Sequence, residues 1–161
     1  MMNKRLKQGS TFLLAVALTF PLLTLPGAKA ASAINTGQKC SIEFDISGNS
    51  SELLSASIPV KLYKVASVDE SGNYTATGAF SKLDLSSVSA DNLDTAAATW
   101  KERANKAKEK LTDSDGNTVV EPTETVTLQN GRGYKDKLET GLYLVDTPKV
   151  ITTNYTYTFT P

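Results

Sequence analysis

The chain has 161 residues, with 17 basic and 17 acidic side chains, one cysteine and no histidine. The lack of histidine removes the commonest general base, the usual nucleophile triads and most zinc sites together, and a lone cysteine cannot close an internal disulfide. A chain of balanced charge also lacks the concentrated positive field that phosphate binding needs, which argues against nucleic acid as a partner.

Lys4, Arg5 and Lys7 precede an apolar run from Phe12 to Leu25, and Ala28-Lys29-Ala30 supplies small residues ahead of Ala31-Ser32-Ala33. This is the pattern of a secretory signal peptide, residues 1–30, with cleavage expected between Ala30 and Ala31 and Ala33 as the fallback. Pro21 and Pro26 interrupt the run, which falls short of the roughly 20 residues a spanning helix needs. No later segment is apolar enough to cross a bilayer, so we expect no membrane span in the mature chain. Removing the leader leaves 131 residues with 13 basic against 17 acidic side chains, a net charge of −4. That length suits a single domain over 31–161.

Cys40, Ile42, Phe44 and Ile46 alternate with Ser41, Glu43 and Asp45, the period-two pattern of a half-buried strand. Cys40 reads as a small hydrophobe on that strand, and Gly48-Asn49-Ser50-Ser51 ends it. In the run Ile58 to Ala66, Ile58, Val60 and Leu62 fall on one face and Tyr63 and Val65 on the other. This predicts a central or near-central strand, with Pro59 confined to its start because proline cannot donate to a ladder. Asp69-Glu70-Ser71-Gly72-Asn73 is a turn, from which Tyr74 to Thr77 returns as a short hairpin partner.

From Ser89 the period changes. Leu93, Ala97, Trp100, Ala104, Ala107 and Leu111 recur at alternating spacings of four and three, predicting one amphipathic helix over about 90–111. Ser89 or Asp91 is placed to cap it, and Trp100 is expected to anchor it on the sheet. The basic side chains Lys101, Arg103, Lys106, Lys108 and Lys110 are interleaved with Glu102 and Glu109, as on a solvated helix face. Asp113-Ser114-Asp115-Gly116-Asn117 resembles half of a calcium loop, but its glycine comes too early and no bidentate glutamate closes it. We therefore expect a plain turn there and no metal. Three further strands are predicted over 124–128, 142–146 and 154–159. In the last, Tyr155, Tyr157 and Phe159 alternate with threonines, the cleanest period-two segment in the chain.

No catalytic constellation emerges. The acidic side chains offer pairs, but none at a spacing that points to hydrolysis, and Gly131-Arg132-Gly133 lacks the strand-then-helix setting of a phosphate loop. We expect neither an enzyme nor a cofactor.

The segments Val60-Lys61-Leu62-Tyr63-Lys64-Val65-Ala66 and Leu138-Glu139-Thr140-Gly141-Leu142-Tyr143-Leu144-Val145 carry a resemblance, as do the Gly-Asn-Tyr turn, Gly78-Ala79-Phe80 and the Trp-bearing helix between them. In this order they resemble the N-terminal domain of sortase-assembled pilins of Gram-positive Firmicutes and related collagen-adhesin B-type surface proteins. The resemblance spans nearly the whole mature segment. It implies a mainly β, Ig-like or prealbumin-like sandwich with one inserted helix, acting as a structural or adhesive module at the cell surface or in the cell wall. Its implied partners are other pilin subunits or a host surface ligand.

In related domains a lysine on an early strand and an asparagine on the last strand form an isopeptide bond beside an acidic residue. Carried onto this sequence, the residues are Lys61 (or Lys39), Asn154 and Asp146. The sequence departs from the family pattern in having Glu43 and Asp45 where the first-strand lysine is expected, and Asp rather than Glu at position 146. The pilin polymerisation lysine motif and an LPxTG-type sorting signal are not found, and the final strand runs to Pro161. We therefore expect the chain to be the N-terminal piece of a longer surface protein. The alternatives are a released binding module, with Tyr155 and Tyr157 as a carbohydrate platform, and a non-functional fragment of a longer surface protein.

Overall fold

The computed structural model describes residues 33–86 and 93–161. The expected signal peptide with its expected cleavage between Ala30 and Ala31, and the candidate capping residues Ser89 and Asp91, lie outside the described residues. The elements in order are β1 (Cys40–Asp45), α1 (Ser51–Ser55), β2 (Ile58–Val68), β3 (Tyr74–Ala76), a 3-10 turn (Gly78–Phe80), α2 (Leu93–Lys108), β4 (Glu124–Leu128), β5 (Arg132–Leu138), β6 (Leu142–Asp146), β7 (Val150–Ile151) and β8 (Thr156–Tyr157). The chain is mainly β, and every strand pairing is antiparallel.

β2 is the centre of the larger sheet. Along one edge it pairs with β4 over Ile58 to Leu62 and then with β3 over Ala66 to Val68. Between those partners, the Lys64 amide donates to Thr123 Oγ1 at 2.9 Å and the Thr77 amide donates to the Val65 carbonyl at 2.9 Å. Along the other edge β2 pairs with β6. The register there shifts between Lys64 and Ala66, and Gly141 sits against the irregularity. A Cβ on Gly141 would lie 2.5 Å from the Ala66 carbonyl oxygen, so this close approach needs glycine.

The pleat of β2 sends Ile58, Val60 and Leu62 into one buried cluster with Phe44 of β1, Val126 and Leu128 of β4 and Leu138 of β5. It sends Tyr63 and Val65 into a second cluster with Phe80, Ala107 and Leu111. The first cluster is shared by the larger sheet and the β1–β5 ribbon; the second lies under α2. The two-faced split predicted from the sequence is therefore present.

Three predicted elements differ in extent or role. α2 ends at Lys108 rather than Leu111, because Lys110 and Leu111 donate to carbonyls only three residues back, tightening the helix into turns. Trp100 is half-buried at the margin, edge-on to Tyr74 at 6.3 Å and with the Arg103 guanidinium 4.9 Å from its ring centre. Trp100 thus meets the sheet at β3, and the buried contact of the helix with the sheet is made by Ala104, Ala107 and the following Leu111. The strand expected over 154–159 is shorter: β8 spans Thr156–Tyr157, matching the two residues of its partner β7.

Two elements were not read from the sequence. β5 follows β4 through Asn130 and Gly131, both at positive φ (51° and 77°), closed by the reciprocal Gln129–Arg132 backbone bonds. An Asn-Gly pair adopting this conformation is the preferred two-residue hairpin turn. Here its two arms part, β4 into the larger sheet and β5 onto β1. α1 is capped by Ser50, whose hydroxyl accepts from the Leu53 amide at 3.4 Å, and it buries Leu53 completely.

Because Leu62 is fully buried at the centre of β2, Leu62→Ala should lower unfolding stability by about 2–5 kcal/mol. Ile151→Ala, at a side chain 69% exposed, should stay within about 0.5 kcal/mol. Urea denaturation of the two variants checks the contrast.

Candidate functional site

The candidate site residues from the sequence separate into two places. Lys61 and Asp146 are directly opposite on β2 and β6 and so share one face of the sheet. That face is the one covered by α2, and Lys108 in the last turn of α2 places its ammonium 2.6 Å from Asp146 Oδ1. The Lys108 ammonium is the counter-charge of this buried oxygen. Tyr63 lies on the same face, and burial, with the negative charge of Asp146 and Glu121 added, raises its hydroxyl pKa.

Asn154 belongs elsewhere. It sits in the turn joining β7 to β8, where its side-chain amide donates to Glu52 Oε1 of α1. Glu52 Oε2 also accepts from Thr152 Oγ1 at 2.6 Å and from the Asn154 backbone amide at 3.4 Å. These bonds, led by that from Thr152, hold the Glu52 carboxyl below its usual value of 4.5. The carboxamide that an isopeptide bond would consume is thus engaged as part of a clip fastening the β7–β8 hairpin to α1. The other lysine, Lys39, lies 3.7 Å from Glu139, which also takes the Lys64 ammonium at 2.6 Å.

Other polar side chains singled out in the sequence serve local architecture. Asp113 accepts the Asp115 and Asn117 amides on Oδ1 and the Asn117 side chain on Oδ2. Asp69 does the same with Ser71 and Asn73. The two loops are copies of one turn, Asp-x-Ser/Asp-Gly-Asn, with glycine at φ 88° and 82°. Among the described residues no three histidine, cysteine, aspartate or glutamate side chains converge as metal ligands would. Arg103 reaches off the helix to Ser86 and Asp84, so the basic cluster is partly spent on tertiary contacts. Cys40 is partly buried, with its sulfur 3.6 Å from Thr140 Oγ1. Gly131 and Gly133 flank the start of β5, a strand rather than the helix that a phosphate site needs.

The feature that sequence reasoning missed is a groove of about 570 Å³. β6 pairs with β2 on one side and with no described residue on the other. Its side chains alternate between the two cores: Tyr143 and Val145 pack on the first cluster, Leu142 and Leu144 on the second. All four line the groove, together with Phe44, Val60 and Leu128 from one core and Val65, Leu85 and Ala104 from the other. A space bounded by both faces of one strand wraps around that strand's free edge. Phe159, Thr160 and Pro161 form part of its wall, and Lys101 and Arg103 stand on the helix side. Chemically it offers a strand edge whose backbone pairs with no other strand among the described residues, flanked by apolar walls, which suits an added polypeptide strand.

No protein family, no curated protein and no solved structure matches this chain.

Two measurements follow from this geometry. With Asn154 held by Glu52, intact-mass spectrometry should give the full sequence mass of the purified chain; a mass lower by one ammonia, restored in Lys61→Ala, would establish the isopeptide bond instead. Since the folded Glu52 pKa is depressed, its anchoring of the hairpin is fully present above 4.5 and fades as pH falls through the lower folded value. Acidification should therefore raise hydrogen exchange in the β7–β8 hairpin, and Glu52→Gln, which cannot ionise, should abolish that pH dependence.

Proposed function

We propose that this chain is a secreted, non-enzymatic structural or adhesive module of a bacterial cell surface, built as an Ig-like or prealbumin-like β-sandwich with one inserted helix. The observation that carries the proposal is the apolar groove beside the edge of β6 that has no strand partner among the described residues. Such an edge recognises polypeptide through its backbone and holds it through apolar pockets, a chemistry of attachment rather than turnover. The leader pattern of residues 1–30 and the ordered resemblance to pilin N-terminal domains support export and a surface location. Partners in this proposal are other pilin-type subunits or a host surface ligand, and cleavage falls between Ala30 and Ala31.

A released carbohydrate-binding module is the second reading, favoured by the exposed Tyr155. Its ring lies 6.0 Å from that of Tyr157 and is tilted by 52°. Tyr157 also points its hydroxyl at Ser50 Oγ, 2.6 Å away. Two rings at that angle present no flat stacking platform, so the structural module is the better supported of the two.

Expression in a Gram-positive host with fractionation and N-terminal sequencing tests the proposal. The expected result is a chain beginning at Ala31 in the wall or culture fraction. Retention in the cytoplasm with Met1 intact would overturn it. Loss of a glycan-array signal in the Tyr155→Ala, Tyr157→Ala variant would favour the second reading.

A further inference from the structure

The sequence contains one Asn-Gly pair, Asn130-Gly131. Such a pair can modify itself: the backbone nitrogen of the second residue attacks the side-chain carbonyl carbon of the first, and glycine puts no Cβ in the way. In this structure Asn130 is exposed, and neither its carboxamide nor the Gly131 amide makes a hydrogen bond among the described residues. No hydrogen bond of either group has to break before the two react.

The other described asparagines are held. The side-chain amide of Asn49 donates to the Ile46 carbonyl, and those of Asn73, Asn117 and Asn154 donate to the carboxylates of Asp69, Asp113 and Glu52. Asn35 Oδ1 accepts from the Gly37 amide at 3.1 Å. Asn105 lies inside α2, where the following amide belongs to the helix ladder. Each of these is also followed by a residue that carries a Cβ.

We infer that Asn130-Gly131 is a self-modification site and that the fold makes its two products unequal. The Gly131 nitrogen bonds to Asn130 Cγ, the Cγ–Nδ2 bond breaks, and ammonia leaves with the amide proton. Solvent water then opens the cyclic imide at one of its two carbonyls. Opening at the side-chain carbon gives aspartate. Opening at the main-chain carbon gives isoaspartate, which routes the backbone through Cγ and lengthens it by one atom.

Aspartate is a small change, because Asp-Gly favours the same two-residue turn and the new carboxylate stands at an exposed position. Isoaspartate is not accommodated. Gly131 is buried, its carbonyl accepts the Ile46 amide at 2.8 Å, and a Cβ on it would lie 2.5 Å from Leu54 and 3.3 Å from the Ser47 backbone nitrogen. Two residues on, a Cβ at Gly133 would lie 2.8 Å from Val126. With both glycines close against their neighbours, an added backbone atom acts on the Ile46–Gly131 bond and on the β1–β5 register that begins at Asp45 and Arg132. The modification thus loosens the ribbon that covers one face of β2. The inference is independent of the β6 groove and of the export reading.

Peptide mapping of the purified chain, aged in mildly alkaline buffer and fragmented so that aspartate and isoaspartate separate, tests it. The expected result is a gain of about 1 Da at Asn130 as NH2 is replaced by OH, with isoaspartate present and no gain at Asn49, Asn73, Asn117 or Asn154. Hydrogen exchange of Cys40–Asp45 and Arg132–Leu138 should rise in proportion to the isoaspartate fraction. Freshly purified Asn130→Asp carries the new charge without the extra backbone atom, and should keep the wild-type exchange and thermal unfolding. Asn130 retaining its mass throughout overturns the inference, as does a gain at the held asparagines equal to that at Asn130. Ribbon exchange that isoaspartate leaves unchanged, or that Asn130→Asp raises equally, overturns the inequality of the two products.

Discussion

The structure depends on one strand being covered on every side. β2 carries apolar side chains on both faces, so it can be stable only between two layers, and each other element is placed by that demand. The β1–β5 ribbon closes one face through Phe44 and Leu138, and α2 closes the other through Ala107 and the following Leu111. The backbone of β2 poses a second demand, since buried amides and carbonyls must be paired. β4 and β3 share one edge end to end, with Thr123 and Thr77 bridging the gap between them, and β6 takes the other edge.

The polar side chains are then free of the core and act as fasteners. Twin Asp-x-Ser/Asp-Gly-Asn turns close the β2–β3 hairpin and the loop after α2. Each gives its aspartate carboxylate two backbone amides and an asparagine side chain, so the carboxylates that look like metal ligands in sequence are satisfied within their own turns. Glu52 does the same at longer range for the β7–β8 hairpin, and the Lys108–Asp146 pair ties the end of α2 to the end of β6. None of the described core positions is polar or charged.

Coverage stops at β6. Its outer edge has the same backbone chemistry as that of β2 but no described partner, and the apolar layers on either side extend past it to bound the groove. Among the described residues the central strand is covered on four sides and its neighbour on three. In the function proposed above, the remaining side is the surface of attachment. The lining is mostly aliphatic and aromatic because the groove continues the two cores.

The sequence by itself determined the mainly β class, the two-faced character of β2, the helix period and the aspartate turns, because each is a local or periodic property of consecutive side chains. Asn130-Gly131, a local hairpin signal, announced β5 and was legible but unread; the Ser50 cap of α1 was concealed by a polar run that looks like a loop. Only the tertiary structure decided which face-sharing groups meet. It placed Lys61 across from Asp146 but delivered Asn154 to Glu52, because strand register and hairpin docking are set by packing between segments some hundred residues apart. It likewise left the most strand-like segment with a two-residue ladder, since a strand extends only as far as its partner does. The edge of β6 that has no partner among the described residues has no sequence signature: strand neighbours are a property of topology, and no residue of β6 differs in kind from those of a strand paired on both sides.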